Sequence, residues 1–138
     1  MTEPQSPLIH RGFIAMDEIP AGVDLVEQVR ALNAAGVDVP WMWSLSGTRV
    51  DLTSTAAPML TFGVNNTVGI LEWQEGTSTF TPAGGANEER LSYWLAGFHE
   101  TEVERYTEVP VDLVFAAVAE HLQTRERPTC VDWRASTS

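Results

Sequence analysis

Two apolar runs, residues 58–64 and 67–73, meet at Asn65-Asn66, and this arrangement constrains the fold more than any other feature of the chain. Asparagine accepts the positive φ that a tight turn demands, so the runs are expected to pair as antiparallel strands across a two-residue loop. In that register Leu60, Phe62 and Val64 share a face with Thr67, Gly69, Leu71 and Trp73. Met59, Thr61, Val68, Ile70 and Glu72 take the other face, because successive strand side chains alternate. A slip of one residue would exchange the faces, so the aromatic face pins the register. Phe62 is expected opposite Gly69, where a missing side chain leaves room for the ring.

The same reasoning extends outward from the hairpin. Trp41, Trp43 and Leu45 alternate with Met42 and Ser44, as in a strand. Gln74-Glu75-Gly76 reads as a turn and residues 77–82 as a short Thr-rich strand. Residues 82–89, with Gly84-Gly85, read as a loop. Residues 90–96 form a strand with Leu91, Tyr93 and Leu95 on one face, and residues 99–107 extend the sheet. Residues 129–134 close it, with Cys130 inside the strand. Residues 8–15 leave a first strand open, since Ile9, Phe13 and Ile14 suit one without requiring it.

Two segments carry helical spacing. Leu25, Val26, Val29 and Leu32 line one side of residues 24–35, with Asp24 and Glu27 placed as an acidic capping box and Gly36 just past the end. Val111, Val114, Phe115, Val118 and Leu122 make one stripe over residues 111–124, which Pro110 can start but not continue. The expected fold class is α+β: a mainly antiparallel, meandering sheet with two amphipathic helices packed on one face. The 138 residues suit a single domain over 8–134, with tails at 1–7 and 135–138.

Charge narrows the function. Nineteen acidic residues stand against eight basic ones, all arginine, for a net −11. A chain that tracks phosphates needs a basic footprint, so direct nucleic-acid binding is excluded as a function class. No apolar run reaches the roughly 20 residues of a membrane span, and the N-terminus lacks the basic and apolar regions of a secretory signal. A single cysteine fits a reducing cytoplasm.

Motifs for chemistry are sparse. His10, His99 and His121 have no metal-ligand spacing, and His99-Glu100 lacks the second histidine of a zincin because position 103 is Val103. Trp133 stands where a zinc deaminase needs a cysteine three residues after Cys130. No Gly-x-Ser-x-Gly elbow occurs. No metal, cofactor or catalytic residue is therefore assigned. A carboxylate pair is the one catalytic arrangement that the composition offers, and a small carboxylate-based hydrolase is the alternative reading. It predicts a deep pocket holding a Glu of raised pKa.

The acid is not evenly spread. Residues 72–112 hold nine carboxylates against Arg90 and Arg105, so seven of the eleven net negative charges fall there. If residues 99–107 are extended, Glu100, Glu102 and Glu104 project the same way and Tyr106 continues the row. Such a stripe fits a basic nucleic-acid groove on another protein, with an aromatic anchor. Glu100, Glu102, Glu104 and Tyr106 are accordingly the candidate partner-binding residues. Trp94 joins them as the tryptophan of the five expected to be most exposed, since it faces away from Leu91, Tyr93 and Leu95.

The stretch from Phe62 to Trp133 resembles immunity protein family one of bacterial polymorphic toxin systems. The residues are Gly63-Val64-Asn65-Asn66 running into Val68-Gly69-Ile70-Leu71-Glu72-Trp73, then Tyr93-Trp94 with Gly97 shortly after. Val109-Pro110-Val111 follows, opening the second helix, and Arg127-Pro128-Thr129-Cys130-Val131-Asp132-Trp133 closes the series. The closing motif after a helix is the most specific part. The resemblance implies a small cytoplasmic α+β protein, not an enzyme, that binds and inactivates a cognate toxin domain, often a nucleic-acid deaminase. It assigns no interface residues, so the candidates above rest on charge alone. A non-toxin interaction module is the remaining alternative.

Overall fold

The protein is described by a computed structural model over residues 8–47, 58–97 and 99–135. Its elements in chain order are β1 (Phe13–Ala15), α1 (Leu25–Ala34), β2 (Trp41–Ser46), β3 (Met59–Asn65), β4 (Val68–Glu75), β5 (Ser78–Pro82), β6 (Leu91–Leu95), β7 (His99–Val103), β8 (Glu108–Pro110), α2 (Val111–Thr124) and β9 (Trp133–Ala135). Both helices and most strands fall where the apolar spacing places them. The expected tail at 1–7 and residues 136–138 lie outside the described residues. Ala135, expected to belong to the tail, ends β9 and pairs with Phe80.

β3 and β4 pair antiparallel, but the loop is Asn66-Thr67 rather than Asn65-Asn66. Phe62 therefore lies opposite Leu71, and Gly69 opposite Val64. The turn is placed by a distant helix. The Asn33 side chain on α1 accepts from the Asn66 amide and donates to the Asn66 carbonyl, each at 2.7 Å. Asn66 takes the left-handed conformation at φ 63°. Because the pairing moves by an even step, every side chain keeps its expected face.

The sheet runs β7-β6-β2-β3-β4-β5-β9, with β1 joined to β2 and β8 to β4. It is mostly antiparallel, but it is not the simple meander expected. β6 returns to pair with β2 in parallel, and β1 also pairs with β2 in parallel. Hairpin logic sees only sequential neighbours, so such long-range pairings lie outside it.

The larger core forms on one face of the central strands. Trp43, Phe62 and Leu71 lie side by side in register, as do Leu45, Leu60 and Trp73, and all six are essentially fully buried. Trp43 stacks on Phe62 at 5.3 Å between ring centres, a contact worth about 0.5–1.5 kcal/mol beyond its burial. Leu25 and Val29 of α1, and Val114, Phe115 and Val118 of α2, belong to the same cluster. The α1 N-terminus is capped as expected, the Asp24 carboxylate accepting from the Glu27 amide at 3.2 Å.

A second, smaller cluster draws only on strands: Met42, Ile70, Tyr93 and Val103, with Leu91 and Leu95 packed against it. These residues occupy the opposite face from Trp43 and Leu71. Strand β7 stops at Val103, five residues long, and residues 104–107 form a turn in which Tyr106 has φ 60°. The expected row from Glu100 through Tyr106 is thus broken after Glu102. The alternation of Glu-Thr-Glu-Val-Glu reads as strand, but the backbone leaves the sheet to reach β8, beside β4.

The closing motif also departs from expectation. Cys130 is exposed and precedes β9. The Glu120 carboxylate on α2 accepts from the Thr129 amide at 2.6 Å, the Thr129 hydroxyl at 2.9 Å and the Cys130 amide at 3.1 Å. These bonds hold the Glu120 carboxyl below its ordinary pKa. The Pro128 carbonyl accepts from the Trp133 indole at 2.8 Å. The most specific stretch of the sequence therefore locks the last strand onto α2 and β5.

Candidate functional site

The strand-only face carries a cavity of about 360 Å³. Met42 of β2, Thr61 of β3, Ile70 and Glu72 of β4, Val103 of β7 and Glu104 beyond it are among its lining residues. β7 and β4 are separated by three strands in the sheet order, yet both line this space. The sheet must curl to bring them together, which follows from the cumulative twist of neighbouring strands. The cavity is the inside of that curl, and Met42, Ile70 and Val103 form an apolar floor, each under one-tenth exposed.

Glu72 is half-buried in this cavity, and its carboxylate makes no hydrogen bond or ion pair among the described residues. Burial, and then the nearby Glu104 carboxylate, push its pKa up. Glu104 is itself held by Arg90, whose Nε lies 3.5 Å from Glu104 Oε2. The same guanidinium reaches Glu102 Oε1 at 3.4 Å through Nη1. All three partners are about half exposed or more, so these pairs orient the side chains and add little stability. Beside them Tyr93 donates to Glu108 Oε2 at 2.9 Å, and burial, reinforced by that carboxylate, raises the phenol's pKa.

The turn beyond β7 is held from the 82–89 loop. Asn87, buried, accepts at Oδ1 from the amides of Thr107 and Glu108, both at 2.8 Å. Its Nδ2 donates to the carbonyls of Glu89 and Glu104, both at 2.9 Å, and its own carbonyl accepts from the Tyr106 amide at 2.8 Å. Gly85 packs so closely on the Tyr106 carbonyl that a Cβ there would collide with it. A rigid platform thus presents Tyr106, one of two large hydrophobic side chains that stand exposed among the described residues.

Of the five residues singled out from sequence, Glu102 and Glu104 line the cavity and Tyr106 stands in the adjoining turn. Glu100 and Trp94 are direct register partners across β6 and β7. They lie on the face opposite Tyr93 and Thr101, away from the cavity, and Glu102 shares that face by alternation, so it borders the cavity from the strand edge; Trp94 is half-buried rather than exposed. From sequence Glu72 is paired with its neighbour Glu75 as a carboxylate candidate, whereas the fold sets it beside Glu104; Asn87 carries no signal as a site-forming residue. An ionisable group in the middle of an apolar hairpin strand was the available signal for Glu72.

Other chemistry is thinly represented. Among the described residues no group of three or more His, Cys, Asp and Glu is placed to hold a metal. Cys130 is exposed where a buried position was expected, but partial desolvation and then Glu120 push its thiol up, which favours the poorly nucleophilic protonated form. No described helix is long and apolar enough to cross a membrane. The family model described as "Immunity protein Imm1" matches residues 17–135. No curated protein matches the chain.

Proposed function

The chain belongs to the Imm1 immunity protein family, and from that premise we propose that it binds a cognate toxin domain and neutralises it by covering the toxin's active-site groove. The family match over residues 17–135 is the observation that carries this reading. The toxin in this proposal acts on nucleic acid, a deaminase being the chemistry implied by the resemblance described above, and the encounter takes place in the cytoplasm. A groove that holds nucleic acid is basic. The acid of the cavity, from Glu72 and Glu104, with Glu102 at its edge and the projecting Tyr106, is what such a groove would meet. Glu100 and Trp94 are kept in the proposal as a flank on the other face of the β6–β7 hairpin.

Mechanistically the protein acts as a stoichiometric plug. Opposite charge steers the encounter, and exclusion of the nucleic acid follows from occupancy alone. The test is co-expression with the toxin domain encoded beside its gene. Cells are expected to survive only when this protein is present, and death despite its expression would overturn the reading. The association rate is expected to fall as salt rises, since steering is screened beyond roughly 10 Å at 0.1 M ionic strength. A rate independent of salt would refute the electrostatic part.

One observation favours a second reading, the carboxylate-based hydrolase. Glu72, with its raised pKa, lies near Glu104 in a cavity, and such a pair can serve as general acid and partner. Stoichiometry separates the two. Protection that saturates at one equivalent per toxin supports inhibition by binding, whereas an enzyme would protect at far lower ratios.

A further inference from the structure

The cavity on the strand-only face is unusual in its balance of polarity. Its floor is apolar and well buried, through Met42, Ile70 and Val103. Its charge comes from Glu72 and Glu104, with Arg90 reaching Glu104 and not Glu72. Arg105, in the neighbouring turn, is exposed and makes no salt bridge among the described residues. Glu72 therefore sits half-buried, facing a like charge, with no donor among the described residues. Such an arrangement is destabilising in the free protein, because a desolvated carboxylate without a partner is costly and a neighbouring one adds repulsion.

We propose that this cavity receives an arginine side chain of the toxin, its aliphatic stem against Met42, Ile70 and Val103 and its guanidinium between Glu72 and Glu104. The inference rests on the toxin-binding reading and names the chemistry that the surface recognises. A long side chain with an apolar stem and a cationic head matches a cavity with an apolar floor and acidic lining. Arginine fits better than lysine. Its guanidinium is weakly hydrated, so entering a half-buried site costs it less, and its planar fork spans two carboxylates at once. Arg90 already bridges Glu102 and Glu104 in this way on the same rim. On binding, the like charges of Glu72 and Glu104 acquire a shared counter-ion, so the repulsion present in the free protein becomes attraction in the complex.

The experiment has two arms. In the first, affinity for the toxin domain is measured by calorimetry for the wild type, Glu72→Gln and Glu100→Gln, each checked for folding by circular dichroism. Glu72→Gln keeps shape and removes charge, and it is expected to weaken binding at least about fivefold, since losing one member of a buried charge pair acts mainly on dissociation. Glu100→Gln, on the opposite face, is expected to weaken it less. A loss at Glu72 below about fivefold, or no greater than that at Glu100, overturns the proposal. The second arm needs no toxin. The Glu72 carboxyl carbon is followed by NMR while blocked arginine (N-acetyl-arginine methylamide) is added, with blocked citrulline as the uncharged control. A saturable shift specific to arginine is expected, and an absent or equal response overturns the site. An arginine-specific shift in a protein that fails to bind the toxin would instead overturn the proposed function while leaving the site in place.

Discussion

Replacing Asn87 with alanine removes the side chain that joins the 82–89 loop to the turn after β7. Four hydrogen bonds are lost, and they are not equivalent. The carbonyls of Glu89 and Glu104 belong to exposed residues, so water replaces the donor at little cost, and Glu104 also keeps the Thr107 hydroxyl at 2.8 Å. The amides of Thr107 and Glu108 are different, because Thr107 is only 3 % exposed and Glu108 is partly buried. A buried N–H left without an acceptor costs about 1–3 kcal/mol. Counting those two amides in full and the carbonyls lightly gives a loss of about 3 kcal/mol. That is a large share of the roughly 5–15 kcal/mol that holds a domain together. Urea unfolding followed by tryptophan fluorescence measures it, and the midpoint is expected to drop with an unchanged m-value. A thermal midpoint lower by about 10 °C is the corresponding shift for a chain of this size. A loss under about 1 kcal/mol would mean that the turn rehydrates freely, and the rigid presentation of Tyr106 would have to be abandoned.

Other expectations follow from the same geometry. Gly85→Ala drives a Cβ into the Tyr106 carbonyl and is expected to destabilise by about 1–3 kcal/mol in urea unfolding; a neutral result would show that the loop can move aside. His121 is 1 % exposed and its pKa is lowered by burial, so below pH of about 6.5 the unfolded chain takes up a proton that the folded state refuses. Stability should fall through that range, continuing down to the lowered folded pKa, and His121→Gln should flatten the slope; equal slopes in the two proteins would refute this. Glu72 has the opposite sign, because its folded pKa is raised. Glu72→Gln is therefore expected to raise the unfolding midpoint at pH 7, with the gain shrinking as pH falls through the folded pKa and vanishing near the unfolded value of about 4.3; a lower midpoint at pH 7 would contradict the burial argument.

Local pattern was legible in the sequence, and long-range pairing was not. The faces of the β3–β4 hairpin survive a misplaced turn, because only odd shifts exchange them. The turn itself is decided by Asn33, on a helix more than thirty residues away. Both helices announce themselves through spacing and caps. The parallel pairing of β6 with β2 has no local signature at all. At the candidate site, Glu102, Glu104 and Tyr106 were legible as concentrated charge with an aromatic, but their supposed common row was not real. Their relation to one another depends on the turn that Asn87 fastens. Glu72 was legible as a carboxylate on the hairpin's second face, but its partner Glu104 was not, since the two meet only when β7 curls toward β4. The closing Pro-Thr-Cys-Val-Asp-Trp was legible as a signature, and its work is architectural: Glu120 and the Trp133 indole close a clasp around it.

The position of β7 has a consequence for the protein at high concentration. It lies at one end of the sheet, so its outer backbone groups have no strand to pair with among the described residues. An open edge of this kind is a template for self-association. A second copy approaching edge to edge would bring Glu100 and Glu102 against their own equivalents, and directly opposed like charges are unfavourable. The acid on this strand therefore acts as colloidal protection, and it discriminates by sign: it turns away another copy of the same chain and leaves the edge approachable by a basic one.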